Sequence, residues 1–163
     1  MADYYWGEIE IGGPVRRRLV KKLLGAIGDQ MDRGREGVEF TATDPASLLE
    51  QLDPSTGYLH LTDEQARYGQ FEELEEFLQN HGIAFDRRSF GKYEFTPEEV
   101  RFRPGMKRPA VRLMTHDDKP VADWLEVDEA RQLLQAGKAK AALAKLRKVL
   151  GPDVPKLARF EIT

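Results

Sequence analysis

Two hydrophobic periods alternate along this chain, one of two residues and one of three to four. Tyr4–Ile11 reads YYWGEIEI. Tyr5, Gly7, Ile9 and Ile11 fall on one side of it, and Tyr4, Trp6, Glu8 and Glu10 on the other. That alternation, with aromatic and β-branched residues, predicts a half-buried strand. Gly12-Gly13-Pro14 ends it. From Val15 to Met31 the period lengthens: Val15, Leu19, Val20, Leu23, Leu24, Ile27 and Met31 form one helical stripe. Pro14 stands at its start, where a missing N–H costs nothing. Arg16, Arg17, Arg18, Lys21 and Lys22 take the solvent side.

After a turn at Asp32–Gly37, the pattern predicts a short strand over Val38–Thr41, with Val38 and Phe40 inward. Asp44 and Pro45 have the chemistry of an N-cap and a first helical residue, so a short helix is expected over Ala46–Leu52. Residues 53–57 (DPSTG) are a loop. Tyr58–Thr62 predicts a strand with Leu59 and Leu61 inward, Tyr58 and His60 outward. In Gln70–Phe95 a helix comes first: Phe71, Leu74, Phe77 and Leu78 share a face, and Glu72, Glu73, Glu75 and Glu76 fill the other. Gly82 stands where a left-handed C-cap belongs, and Ile83–Asp86 reads as a strand.

The order strand–helix–strand–strand–helix–strand over residues 1–88 is that of a split βαβ, ferredoxin-like unit. It predicts an α+β fold with two helices on one face of an antiparallel sheet, and with the first and third strands central. Residues 89–163 read as a C-terminal α+β extension packed on that unit as one compact domain. Within it, Tyr93–Phe95 and Glu99–Arg103 resemble strands, and Val111–Met114 and Val121–Trp124 a hairpin around His116-Asp117-Asp118-Lys119. Asp128 is the expected cap of a helix over Glu129–Ala136, broken by Gly137. A basic helix with Ala139, Ala142, Leu143, Leu146, Val149 and Leu150 on its apolar stripe follows, then a final strand over Leu157–Ile162.

Composition narrows the chemistry. With 163 residues and 40% apolar residues, the chain can bury a core of ordinary size. The net charge of −3 argues against general coating of nucleic acid. No cysteine is present, which excludes disulfides, thiolate metal sites and a cysteine nucleophile. No leader pattern and no 18-residue apolar run occur, so a cytoplasmic, soluble product without membrane association is expected.

Candidate chemistry is sparse. Tyr4, Trp6, Tyr58 and His60 would share the outward sheet face, where aromatics on central strands stack bases in RNA-recognition folds. The basic–Gly–aromatic motif of such sheets is absent, and Glu8 and Glu10 would repel phosphate. Burial of these aromatics under the C-terminal half is the competing expectation. Gly12-Gly13-Pro14 before three arginines offers a helix N-terminus to an anion, without the lysine of a P-loop. The basic face of helix 15–31 and the glutamates of helix 70–81 are expected to face one another across the groove between them. His60, His81 and His116 are isolated from one another, so no metal set, cofactor or catalytic group is assigned. Asp86, Arg87, Arg88, Lys92 and Tyr93 cluster in sequence and are the expected place for an anionic or planar ligand.

These features favour a non-enzymatic interaction or regulatory module that binds a protein partner or its own copy. Single-stranded RNA or DNA binding through the aromatic face and basic helix is the alternative. A small anionic-ligand sensor or enzyme at Asp86–Tyr93 is the third.

Overall fold

Strand β1 (Tyr4–Gly12) is hydrogen-bonded along both edges. In the computed structural model, which describes residues 3–30, 40–91, 96–117, 119–151 and 153–163, β3 (Leu59–Arg67) and β4 (Ala84–Ser89) flank it antiparallel. Beyond β4 the sheet grows by β5 (Glu98–Phe102) and β6 (Ala110–Leu113), giving the order β3-β1-β4-β5-β6. A separate pair joins β2 (Pro14–Val15) in parallel to β7 (Glu161–Ile162).

The alternation of β1 decides which face is covered. Ile9 and Ile11 are fully buried, and Glu8 and Glu10 only half-buried. Ile9 and Ile11 join Leu59, Leu61, Phe85, Val100 and Phe102 from neighbouring strands in one cluster. Three helices close it: α1 (Arg17–Gly28) through Val20, Leu23 and Ile27, α2 (Pro45–Glu50) through Leu48, and α3 (Glu72–His81) through Leu74 and Leu78. Each such side chain stabilises the fold by about 1.5–3 kcal/mol through burial. Local chemistry ends the helices as the sequence predicts. Asp44 accepts from Ala46 and Ser47 N–H, and Ser47 Oγ accepts from Asp44 N–H, a capping box. These backbone donors hold the Asp44 carboxyl below its ordinary range. Gly82, at φ +65°, terminates α3 in the left-handed region.

The fold is mixed α+β with a five-stranded antiparallel sheet, but the described strands do not complete a ferredoxin-like order. The expected strand at 38–41 lies partly outside the described residues, and Phe40 and Thr41 are in no strand. Among the described residues β3 is therefore an edge, whereas it was expected in the centre. Growth occurs on the β4 side because the C-terminal half supplies two strands there. β3 also runs five residues further than its apolar pattern indicates, through the polar Asp63-Glu64-Gln65 that an edge strand tolerates. The strand expected at Tyr93–Phe95 lies outside the described residues.

Two helices follow, α4 (Trp124–Gln135) and α5 (Ala139–Leu150). Asp123, not Asp128, caps α4, accepting from Leu125 N–H at 2.9 Å. Asp128 instead lies inside the helix and accepts from Arg131 and Gln132. The expected strand over 121–124 is reduced to a Met114–Pro120 bridge and a bond from Val121 N–H to Leu113 O. Small residues let the helices approach: Ala130 and Ala142 are buried between neighbours, and Glu126–Lys148 and Glu129–Lys145 pair across them.

The last segment returns to β1. Gly13 N–H donates to Ala158 O at 2.9 Å and Arg159 O at 3.0 Å, and Tyr58 Oη donates to Leu157 O at 2.8 Å. Leu157 and Phe160 are buried. Arg17 N–H, at the start of α1, donates to Thr163 O at 2.6 Å, so the chain itself takes up one of the N–H groups expected to offer an anion site. A Cβ on Gly12 would lie 2.2 Å from Ala158 O, whereas one on Gly25, exposed in α1, would meet nothing within 4 Å. Gly12→Ala is expected to destabilise by about 1–3 kcal/mol, because backbone must shift. Gly25→Ala is expected to stabilise by about 0.5–1 kcal/mol. Urea unfolding of both variants checks the opposite signs.

Candidate functional site

Strand registers place the charged residues of the sheet face opposite α1, α2 and α3 in rows. Glu10 lies opposite His60 on β3 and Asp86 on β4, and Asp86 opposite Arg101 on β5. In the next row Glu8 lies opposite Thr62 and Arg88, then Arg88 opposite Glu99, and Glu99 opposite Arg112 on β6. Signs mostly alternate, and neighbours pair: Arg101–Glu99 at 2.7 Å, Arg88–Glu8 at 3.8 Å, Arg112–Glu99 at 3.8 Å. His60 stands 3.7 Å from Glu8 and 3.9 Å from Glu10. A cleft of about 220 Å³ is lined by Glu8, Glu10, Asp86, Arg88, Glu99 and Arg101.

Two of these groups have marked electrostatics. Partial burial pushes the Glu10 carboxyl up from 4.5, and Asp86 and Glu8 add to this, while His60 and Arg88 oppose it. Burial lowers the Arg101 pKa, but the hydrogen bond and charge of Glu99, with Asp86, outweigh it and keep the guanidinium charged. Asp86 is held by Arg103 at 2.6 and 3.1 Å, and Arg103 also donates to Phe85, Phe102 and Pro155 carbonyls. Its carboxylate therefore serves a structural bond. Among the described residues, no group of three or more histidine, aspartate or glutamate side chains is placed to hold a metal ion.

The expected cluster Asp86, Arg87, Arg88, Lys92 and Tyr93 does not assemble on one face. Successive strand residues point to opposite sides, so Asp86 and Arg88 face upward and Arg87 downward toward α3. Arg87 is 3% exposed, 3.0 Å from Glu75 of α3 and paired with Glu98 of β5. Lys92 and Tyr93 lie outside the described residues. The α1 cations were expected to meet the α3 glutamates. Among the described residues no such pair forms, and the buried glutamate of α3 turns to Arg87 instead.

The expected aromatic group Tyr4, Trp6, Tyr58 and His60 divides between two ends of the sheet. Antiparallel pairing sets Tyr4 against Arg67 and His60 against Glu10, and Tyr58 precedes β3 with its hydroxyl on Leu157 O. At the first end Tyr4 is 61% and Trp6 49% exposed, so the C-terminal half does not bury them. Phe90, absent from the sequence reading, stands edge-on to Trp6 at 6.2 Å and donates its N–H to Trp6 O. Its signal was the continuation of the β4 pattern one residue past Ser89. Arg101, Glu99 and Arg112 were missed as face residues because no register was available for β5 and β6.

No protein-family model, curated protein or solved structure matches the chain.

Two outcomes follow from these electrostatics. Arg87→Ala leaves Glu75 without its buried partner and is expected to cost about 3–5 kcal/mol in urea unfolding. Glu10→Gln tests the raised carboxyl. The unfolded chain releases this proton at lower pH than the folded one, so ionised Glu10 lowers stability as pH rises above 4.5. The variant is therefore expected to be more stable than the parent at pH 7, with the gain vanishing below pH 4.5.

Proposed function

We propose that the chain is a non-enzymatic interaction module whose open sheet face docks a protein surface, from a partner or from a second copy. The observation that carries this reading is the exposed trio Tyr4, Trp6 and Phe90, at 61%, 49% and 39%, on a face otherwise made of charge pairs. Exposed Trp and Tyr are the side chains that most often dominate binding energy at protein interfaces. The alternating charges beside them supply a pattern that a protein surface can match in register. The same face counts against nucleic acid: Glu8, Glu10 and Asp86 place carboxylates where phosphates would lie. Division of the aromatics between the two ends also removes the stacking platform. For a ligand sensor or enzyme at 86–93, the engagement of Asp86 by Arg103 and the inward turn of Arg87 remove two of the groups required.

The test places a photo-crosslinking residue at Tyr4, with a control at Lys21 on α1, in the cells that make the protein. A protein label at position 4 and not at 21 is expected. With the purified pair, Trp6→Ala is expected to weaken binding by at least about tenfold with only a small loss of thermal stability, because Trp6 is half exposed. Labelling of nucleic acid alone, no labelling, or unchanged affinity in Trp6→Ala contradicts the reading.

A further inference from the structure

The C-terminal half of α5 lies beside the β5–β6 corner of the open face, and a groove of about 350 Å³ separates them. Leu143, Leu146, Leu150 and Val154 line it. Leu143 is 55% and Leu150 45% exposed, so this wall presents apolar side chains to water. Arg101, Arg112 and Arg147 line the groove as well. Glu99 takes a hydrogen bond from Arg101 at 2.7 Å and lies 3.8 Å from Arg112, and Asp153 is the other carboxylate. Asp86, opposite Arg101, is held by Arg103, so the remaining three guanidiniums against Glu99 and Asp153 leave the groove positive by one charge. Among the described residues Arg147 has no acidic partner.

Next to the groove, and sharing Arg101, Arg112 and Val154 with it, is a niche of about 10 Å³ walled also by Glu99 and Ala110. That is room for roughly one oxygen-sized group. Arg101, on the niche wall, has a buried Nε–H with no hydrogen-bond partner among the described residues. A buried donor left without an acceptor is costly, and an oxygen placed beside it removes that cost.

The geometry points to a binding site for a small carboxylate with an aliphatic body. Arg101 and Arg112 outweigh the single Glu99 carboxylate at the niche, so one carboxylate oxygen enters there, Arg147 holds the other, and the alkyl chain lies along the α5 leucines. The volume falls at the small end of the roughly 300–1,000 Å³ typical of ligand sites. Apolar walls with a few convergent polar groups are the usual composition of such sites. The site borrows Glu99, Arg101 and Arg112 from the charge rows of the sheet face but none of Tyr4, Trp6 and Phe90, so Trp6→Ala tests the docking surface and Arg147→Gln tests the groove separately.

Octanoate, octanol, octylamine and acetate are titrated into the full chain, with leucine methyl NMR as the readout. Octanoate is expected to shift Leu143, Leu146 and Leu150 at millimolar concentrations, at least about tenfold more tightly than the other three. Arg147→Gln and Arg112→Gln are each expected to weaken octanoate by about tenfold and leave octanol unchanged. Leu143→Glu, at an exposed position that keeps the fold, is expected to abolish binding. Equal binding of octanol, preference for octylamine, shifts confined to other methyls, or no shift at all overturns the proposal. So does octanoate binding insensitive to both arginine variants.

Discussion

β1 is bonded on both edges and must serve two unlike faces with one sequence. Its odd-numbered residues from Tyr5 to Ile11 pack downward, and its even-numbered residues from Tyr4 to Glu10 face upward. Everything else follows from that division. The downward set needs helices, and α1, α2 and α3 supply Val20, Leu23, Ile27, Leu48, Leu74 and Leu78. The upward set needs charge partners, and β3, β4 and β5 supply them across the strands. The two sides are energetically unequal. Buried side chains below contribute about 1.5–3 kcal/mol each, while cross-strand charge pairs above contribute about 0.2–1 kcal/mol each. The core therefore sets stability, and the upper face can carry Trp6 and Tyr4 in water at little cost to the fold.

The C-terminal half acts on this sheet in three ways. β5 and β6 lengthen it, so that Val100 and Phe102 extend the core below while Glu99 and Arg101 extend the charge rows above. Arg103 ties Asp86 to the Pro155 carbonyl and so joins the upper face to the returning chain. The segment ending at Thr163 then closes over Gly12 and Gly13, where any side chain at position 12 would strike Ala158 O. α4 and α5 depend mainly on each other, through Ala130, Ala142 and two ion pairs. That arrangement leaves the α5 leucines only partly covered.

Much of this was legible in the residue pattern. Periods of two and of three to four located β1, α1, α3 and α5, and Asp44, Pro45 and Gly82 marked ends by their backbone chemistry. Which face of β1 is buried also followed from Ile9 and Ile11. Register was not legible, because alternation tells which way a side chain points and not which residue lies opposite it on the next strand. Tyr58 and His60 were grouped with Trp6 on that account, although antiparallel register carries them to the other end. Arg87 was grouped with Asp86 and Arg88 by proximity in sequence, although the two-residue period separates them. Asp123 lost its place as a cap to Asp128 because Val121–Trp124 reads as the second strand of a hairpin, which puts the expected helix start after it.

The upper sheet face leaves Trp6 half exposed to water. The chain has two tryptophans, Trp6 and Trp124, so a Trp124→Phe background isolates the first. Iodide quenching of its fluorescence in the free protein tests that exposure most directly. Quenching by iodide, weaker than for a free tryptophan amide because Trp6 is half exposed, with emission at long wavelength, is expected. A short-wavelength emission resistant to iodide would mean that the face is covered, and would contradict it.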